Sequence, residues 1–232
     1  MKKQEKLLTG IKNVDLMILS YLNDKDLVSI CNTSKRADKI CKDENFWRNR
    51  ILVQYPEVSP DIFKKYKGER KWADYYVHDL VKIKEKNAQD VLDYSAEDGR
   101  LDRVIIALSK GANINENDDL ALKLASERRQ LEVVKYLINH GANIHAEEDE
   151  ALVSASHSGY LEIVKFLIES GANIHAEEDL PLRFASHEGR FEVVKYLIES
   201  GANINAKDGE ALRMARKNGH SKVADYLEEQ QK

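Results

Sequence analysis

At several stretches along this chain polar and apolar residues recur at three- and four-residue spacing, the period of a helix. Leu161–Ser170 is the clearest case. Glu162, Lys165 and Glu169 make one solvated stripe, while Leu161, Ile163, Val164, Phe166, Leu167 and Ile168 cover the rest of the surface. Gly171 follows, and glycine often ends a helix where the chain must turn left-handed. A shorter helix is predicted before it, from Ala151 to about His157, where Ala155 and Ser156 permit close approach and Gly159 makes the turn between the two. Asp149 and Asp179 stand where N-caps are wanted, and Pro181 falls in a first turn, where its missing N–H costs nothing.

The helix pair repeats. Gly-Ala-Asn stands at 111, 141, 171 and 201, a strict period of 30. Such a period predicts a stacked solenoid, in which no unit buries its apolar face alone. The units are 111–140, 141–170, 171–200 and 201–232. The last carries Ser221, Lys222, Asp225, Glu228 and Glu229 on its second helix, the polar outer side of a capping unit. Residues 88–110 align with the repeats once shifted by 30, Leu92 standing for Leu122 and Leu108 for Ile138, and predict a degenerate first pair.

Upstream the text changes. Val14, Met17, Ile18, Tyr21 and Leu22 predict an amphipathic helix, broken at Asn23-Asp24. Asp24 or Asp26 can cap the next helix, which carries Leu27, Ile30 and Cys31. A third runs from about Ser34 through Ala37, Ile40 and Cys41, and Asn45-Phe46-Trp47 opens a fourth. Residues 56–87 hold helical runs at Ile62–Tyr66 and Trp72–Ile83, with Trp72, Tyr76, Leu80 and Ile83 on one face. A flexible linker would be rich in Gly and Ser, so this aromatic stretch predicts a packed connector. In the degenerate pair Ile105 occupies the position held by Lys135, Lys165 and Lys195 in the full repeats. That apolar strip is expected to be covered by the connector.

Charge narrows the function classes. Residues 1–50 hold 11 Lys/Arg against 7 Asp/Glu and residues 51–87 hold 8 against 6, whereas residues 88–232 hold 17 against 27. A net-acidic array argues against nucleic acid as a partner, because phosphate contacts need a basic footprint. No apolar run reaches the length of a membrane span, so no membrane partner is expected. Cys31 and Cys41 suit core thiols in a reducing compartment, and the expected location is intracellular, cytoplasmic or nuclear.

Histidines recur at 145 and 175 and again at 157 and 187. Helices stacked about 8–10 Å apart cannot bring equivalent side chains to the roughly 2 Å that one zinc requires. These histidines are read as loop hydrogen-bonding groups or groove residues, and no metal or cofactor is expected. No Gly-rich phosphate loop and no Gly-x-Ser-x-Gly elbow occurs, so no enzyme is expected. Recognition is assigned to first-helix positions that change from copy to copy. These are Lys123, Val153, Arg183 and Arg213, then Glu127 and Arg128, His157 and Ser158, His187 and Glu188, Lys217 and Asn218, bordered by Asn117, Glu147, Glu177 and Lys207.

The repeat resembles the ankyrin repeat through Gly-Ala-Asn-Ile-His/Asn, Ala-Leu-x-x-Ala-Ser and Gly-x-Leu-Glu-Val-Val-Lys-Tyr-Leu-Ile, over roughly 88–232. The period is 30 rather than that family's usual 33. The shortfall lies between Ala146 and Ala151, where the family builds a projecting β-hairpin finger, and the Thr-Pro-Leu-His of the family is replaced. Shortened fingers are therefore expected. Residues 11–55 resemble an F-box through Ile18-Leu19-Ser20-Tyr21-Leu22, Asp26-Leu27, Phe46-Trp47-Arg48 and Leu52; the family's opening Leu-Pro would fall on Gly10-Ile11 and is absent.

The expected fold is all-α: an ankyrin-type helical solenoid with shortened fingers, preceded by an F-box-like module at 11–55 and connector helices at 56–87. The combination resembles F-box/ankyrin proteins of large DNA viruses and some intracellular bacteria. That resemblance implies docking on a Skp-type adaptor through Val14, Met17, Ile18, Tyr21, Leu22 and Leu27, and recruitment of an unidentified target protein to a cullin–RING ubiquitin ligase. Outside that complex a monomer is expected. The alternative is a binding protein or decoy whose N-terminal module is only structural.

Overall fold

The computed structural model describes Leu19, residues 22–84 and residues 86–231, and among them there is no β-strand. The helix expected over Val14–Leu22 lies outside the described residues except for Leu19 and Leu22. Two compact units are distinguished.

The first unit holds the described residues up to Val91 together with Ile105–Lys110. Its opening helices are α1 (Asp24–Thr33), α2 (Lys35–Cys41) and α3 (Glu44–Gln54). Asn23, rather than Asp24 or Asp26, caps α1, its Oδ1 accepting the Asp26 N–H at 2.9 Å. Ser34 caps α2 and Asp43 caps α3 in the same manner. Next come α4 (Pro60–Lys67), with Pro60 in its first turn, and α5 (Trp72–Tyr75). A π-helical turn at Tyr76–Leu80 and α6 (Val81–Lys84) follow. The extra residue of a π turn shifts the buried face by one position, and here the consecutive Tyr75 and Tyr76 are both fully buried.

An aromatic chain runs through this unit. Trp47 lies 5.2 Å from Tyr76, Tyr55 lies 6.4 Å from Phe63, and Phe63 lies 6.2 Å from Tyr75, centroid to centroid. The described part of the F-box-like stretch and the aromatic connector thus share one core. Arg50 secures its polar centre: it donates to the Leu22 carbonyl at 2.6 Å, to Asp24 at 3.0 Å and to the Tyr76 hydroxyl at 2.9 Å. Tyr76 in turn donates to Asp24. Burial, reinforced by Asp24, pushes the Tyr76 phenol well above its ordinary pKa. Ile105 is 5% exposed, and Ser109 donates to Glu57 at 2.9 Å, so the apolar strip of the degenerate pair is covered.

Cys31 and Cys41 form a disulfide with Cα atoms 5.7 Å apart, which corrects the expectation of two core thiols. The reason is geometric: α1 and α2 pack as consecutive helices and set these positions within the span of a disulfide.

The second unit comprises Leu92–Val104 and the described residues from Gly111 onward. Of helices α7 (Ala88–Glu97) and α8 (Leu101–Ser109), the parts Leu92–Glu97 and Leu101–Val104 belong to this unit. Then follow α9 (Leu120–Glu127) with α10 (Leu131–Asn139), and α11 (Glu150–Ser158) with α12 (Leu161–Glu169). The last pairs are α13 (Ala176–His187) with α14 (Phe191–Glu199), and α15 (Ala206–Lys217) with α16 (Ser221–Gln230). From α9 on, each first helix packs on its own second helix and on the next first helix. Burial follows the period: Leu122, Leu152 and Leu182, and likewise Val134, Val164 and Val194, are core in successive copies. Ser126, Ser156 and Ser186 recur in that core with hydroxyls that find no hydrogen-bond partner.

Candidate functional site

The loop before each first helix is one turn of left-handed backbone. Residues 117–119, 147–149, 177–179 and 207–209 all have φ between 43° and 70°. An L-residue held there costs about 1–2 kcal/mol, so a run of three needs a compensating contact. That contact comes from the aspartate closing each of the first three turns. Asp149 is 4% exposed; its Oδ1 accepts the Asn173 N–H of the following unit at 2.8 Å and the His145 Nδ1–H at 3.0 Å. Asp179 does the same with the Asn203 N–H at 2.7 Å and His175 Nδ1 at 3.0 Å. Asp119 accepts from the Asn143 N–H at 2.7 Å and from Asn115 Nδ2 at 2.9 Å. A carboxylate only accepts, so the facing imidazole nitrogens carry their protons.

Asp149 and Asp179 are therefore inter-unit staples, not the N-caps expected, and Asp149 makes no cap bond at all. The turn already points their side chains away from their own helix ends. In the fourth loop the equivalent residue is Gly209, which takes φ 70° without a Cβ and has no carboxylate to extend. His145 and His175 act as loop hydrogen-bonding groups. Among the described residues no three His, Cys, Asp or Glu side chains are arranged to hold a metal ion, and no helix is long and apolar enough to cross a membrane.

The opposite ends of the first helices are tied by a second register. Arg190 Nε donates to the His157 carbonyl at 3.0 Å, and His220 Nε2 lies 2.9 Å from the His187 carbonyl. These side chains cross over Gly159 and Gly189, where an added Cβ would stand 2.6 Å from Arg190 and 2.4 Å from His220. Glycine leaves room there for that crossing, whereas the positive φ by itself is adopted by Arg129 at the equivalent position of the preceding unit.

On the first-helix face the expected recognition residues divide. Val153 is 3% exposed and belongs to the core, so it is removed from the surface; a short apolar chain turns in where lysine and arginine reach out. Lys123 Nζ sits 3.2 Å from Glu150 and 3.5 Å from Glu147. Burial alone would lower the Lys123 pKa, but the hydrogen bonds and charges of these two carboxylates outweigh it and leave it raised. Arg183 pairs with Glu210 and donates to the Glu177 carbonyl at 3.0 Å, so it is engaged within the chain. Arg128 pairs with Glu97 at 2.9 Å, and Lys207 pairs with Glu178 at 2.5 Å.

Glu127 is half-buried, and its carbonyl accepts from Ser158. Asn218 donates to the His187 carbonyl, while Asn117, Arg213 and Lys217 are exposed. At the centre, His187 Nδ1 lies 2.7 Å and His157 Nε2 3.5 Å from the same oxygen of Glu188. The hydrogen bond from His187 holds the Glu188 carboxyl below its usual range.

Sequence reasoning missed the position one residue further on. Tyr94, Leu124, Ser154, Phe184 and Met214 form a column in which Tyr94 is 59% and Phe184 39% exposed, with the other three half-buried. Phe184 meets His157 edge to face at 5.8 Å. The available signal was that this position also changes identity in every copy.

Of the expected adaptor-docking residues, Val14, Met17, Ile18 and Tyr21 lie outside the described residues. Leu22 is half-buried, and its carbonyl is held by Arg50. Leu27 is 0% exposed and is a core residue rather than a docking one, because it lies on the inner face of α1. Val53, at the end of α3, is an exposed apolar residue that the pattern did not single out.

A family model described as "Ankyrin repeats (3 copies)" matches residues 60–148, 92–178 and 152–232. A second, described as "F-box-like", matches residues 14–52. The first match begins within the stretch expected to be connector. The comparison with curated proteins returns no match.

Proposed function

The chain belongs to the ankyrin-repeat family, and from that premise we propose that it is a substrate receptor, joining a target protein to a cullin–RING ubiquitin ligase through a Skp-type adaptor. The observation that carries this reading is the coexistence of an F-box-like segment at 14–52 with a repeat array whose buried positions hardly vary while its first-helix surface changes in every copy. The F-box-like segment holds the ligase and the array holds the target. The protein performs no bond chemistry; it raises the effective concentration of target lysines near the ligase.

The test is affinity purification of the full chain from eukaryotic cells, followed by binding to a purified Skp-type adaptor. Adaptor and cullin are expected to co-purify, and Ile18→Asp is expected to abolish adaptor binding while helicity and Trp47 fluorescence stay unchanged. A buried unpaired charge costs several kcal/mol, enough to remove a micromolar contact. Wild-type chain that binds no adaptor would defeat this reading and favour the binding protein or decoy. That alternative draws on Gly10-Ile11, which stands where the F-box family has Leu-Pro.

A further inference from the structure

Three positions beyond the partly apolar column of Tyr94, Leu124, Ser154, Phe184 and Met214, one turn further along each first helix, stand Glu97, Glu127, His157, His187 and Lys217. This second column runs from acid through imidazole to base along the array. Exposed Asp98 strengthens the acidic end and exposed Arg213 the basic end. Lys123 and Arg183, which would otherwise blur the gradient, are neutralised within the chain by Glu147 and Glu150 and by Glu210. Glu97 is itself paired with Arg128, so the acidic end rests on Asp98 and Glu127. Glu188 sits between the two central histidines and balances the middle. A partner of one sign would meet its own charge at one end of this face, and such juxtaposition opposes binding.

Resting on the reading of this face as the target surface, we propose that it recognises a charge-split protein segment. Basic residues at one end of the segment meet Asp98 and Glu127, and acidic residues at the other meet Arg213 and Lys217. Apolar side chains between them lie against Leu124, Phe184 and Met214, and the small Ser154 leaves room for the bulkiest. Helices pack about 8–10 Å apart, which places Glu127 and Lys217, three units apart, roughly 25–30 Å from each other. An extended segment covers that distance in about eight or nine residues.

The probe is a phage-displayed library of random peptides of about sixteen residues, long enough for that span, panned on the full chain at low salt. Enriched peptides are expected to carry a Lys/Arg block and an Asp/Glu block about eight residues apart, with Leu, Met or aromatic residues between. Changing either block to Gln should weaken a selected peptide about tenfold or more, and added salt should weaken the parent. Asp98→Lys combined with Glu127→Lys should switch the preference to peptides acidic at both ends, a reversal that mere loss of structure would not produce. Ser154→Trp should reduce binding with the melting temperature maintained. Enrichment of peptides of a single sign, no enrichment at all, or a preference unmoved by the charge swap overturns the proposal. Adaptor binding is read separately at residues 14–52, so failure of the peptide experiment and failure of the ligase reading are distinguishable.

Discussion

A buried carboxylate with two donors matters most when it is removed, because both donors then lose their partner away from water. Asp149 holds the Asn173 N–H and the His145 Nδ1–H in a nearly closed site. Asp149→Ala should therefore cost about 2–4 kcal/mol, read from urea unfolding by circular dichroism. Asp149→Asn keeps one acceptor and should cost less; a loss below about 0.5 kcal/mol for the alanine variant would show the staple to be incidental. The serines of the core make the converse case. Ser156 buries a hydroxyl with no partner, so Ser156→Ala should be neutral or stabilising by up to about 1 kcal/mol, and a clear loss would mean that the hydroxyl is satisfied in solution.

At the scale of the element, the unusual feature is the left-handed turn in place of a longer loop. Three residues in succession adopt a backbone that L-amino acids avoid, held by the staple behind and the right-handed helix ahead. Glu148, at φ 56°, is exposed in the middle of one such turn. Glu148→Gly removes the Cβ penalty of about 1–2 kcal/mol but adds freedom to the unfolded chain, for a net gain of about 0.5 kcal/mol. Glu148→Val, β-branched at positive φ, should lose about 1 kcal/mol or more. Equal melting temperatures for the two variants would mean that the turn relaxes in solution.

At the scale of the whole molecule, the two units can be followed separately. Both tryptophans, Trp47 and Trp72, lie in the first unit, so their fluorescence reports that unit alone, while circular dichroism reports all the helices. The Cys31–Cys41 disulfide closes a loop with a sequence separation of 10. In the chain-entropy model such a loop contributes about 2.5–3 kcal/mol. Reduction, or Cys31→Ser with Cys41→Ser, should move the fluorescence transition to lower urea by that amount while the main helical transition stays in place. A fluorescence transition unchanged by reductant would show that the bond adds nothing to this unit.

The repeat, its period, the helix pair within it and the all-α class were legible in the sequence, because a 30-residue periodicity of apolar positions leaves few ways to bury them. The shortened fingers followed from three missing residues by the same counting. What replaced the fingers was not legible. A left-handed turn of three residues contradicts local propensity; in the first three units its closing aspartate accepts an N–H that only the next unit supplies, and in the fourth Gly209 closes it without one. The pattern assigned recognition to first-helix positions, and the column one residue further on, with Tyr94 and Phe184 exposed, was not among them. Whether Val153 turns in and Phe184 out depends on the rotation of stacked helices about their axes, which periodicity fixes only to within a residue. Arg183 looked available in the sequence and is neutralised by Glu210, 27 positions away. The disulfide belongs to the same class. Two cysteines ten apart carry no pairing information until α1 and α2 pack, since proximity across a turn is a property of the folded chain.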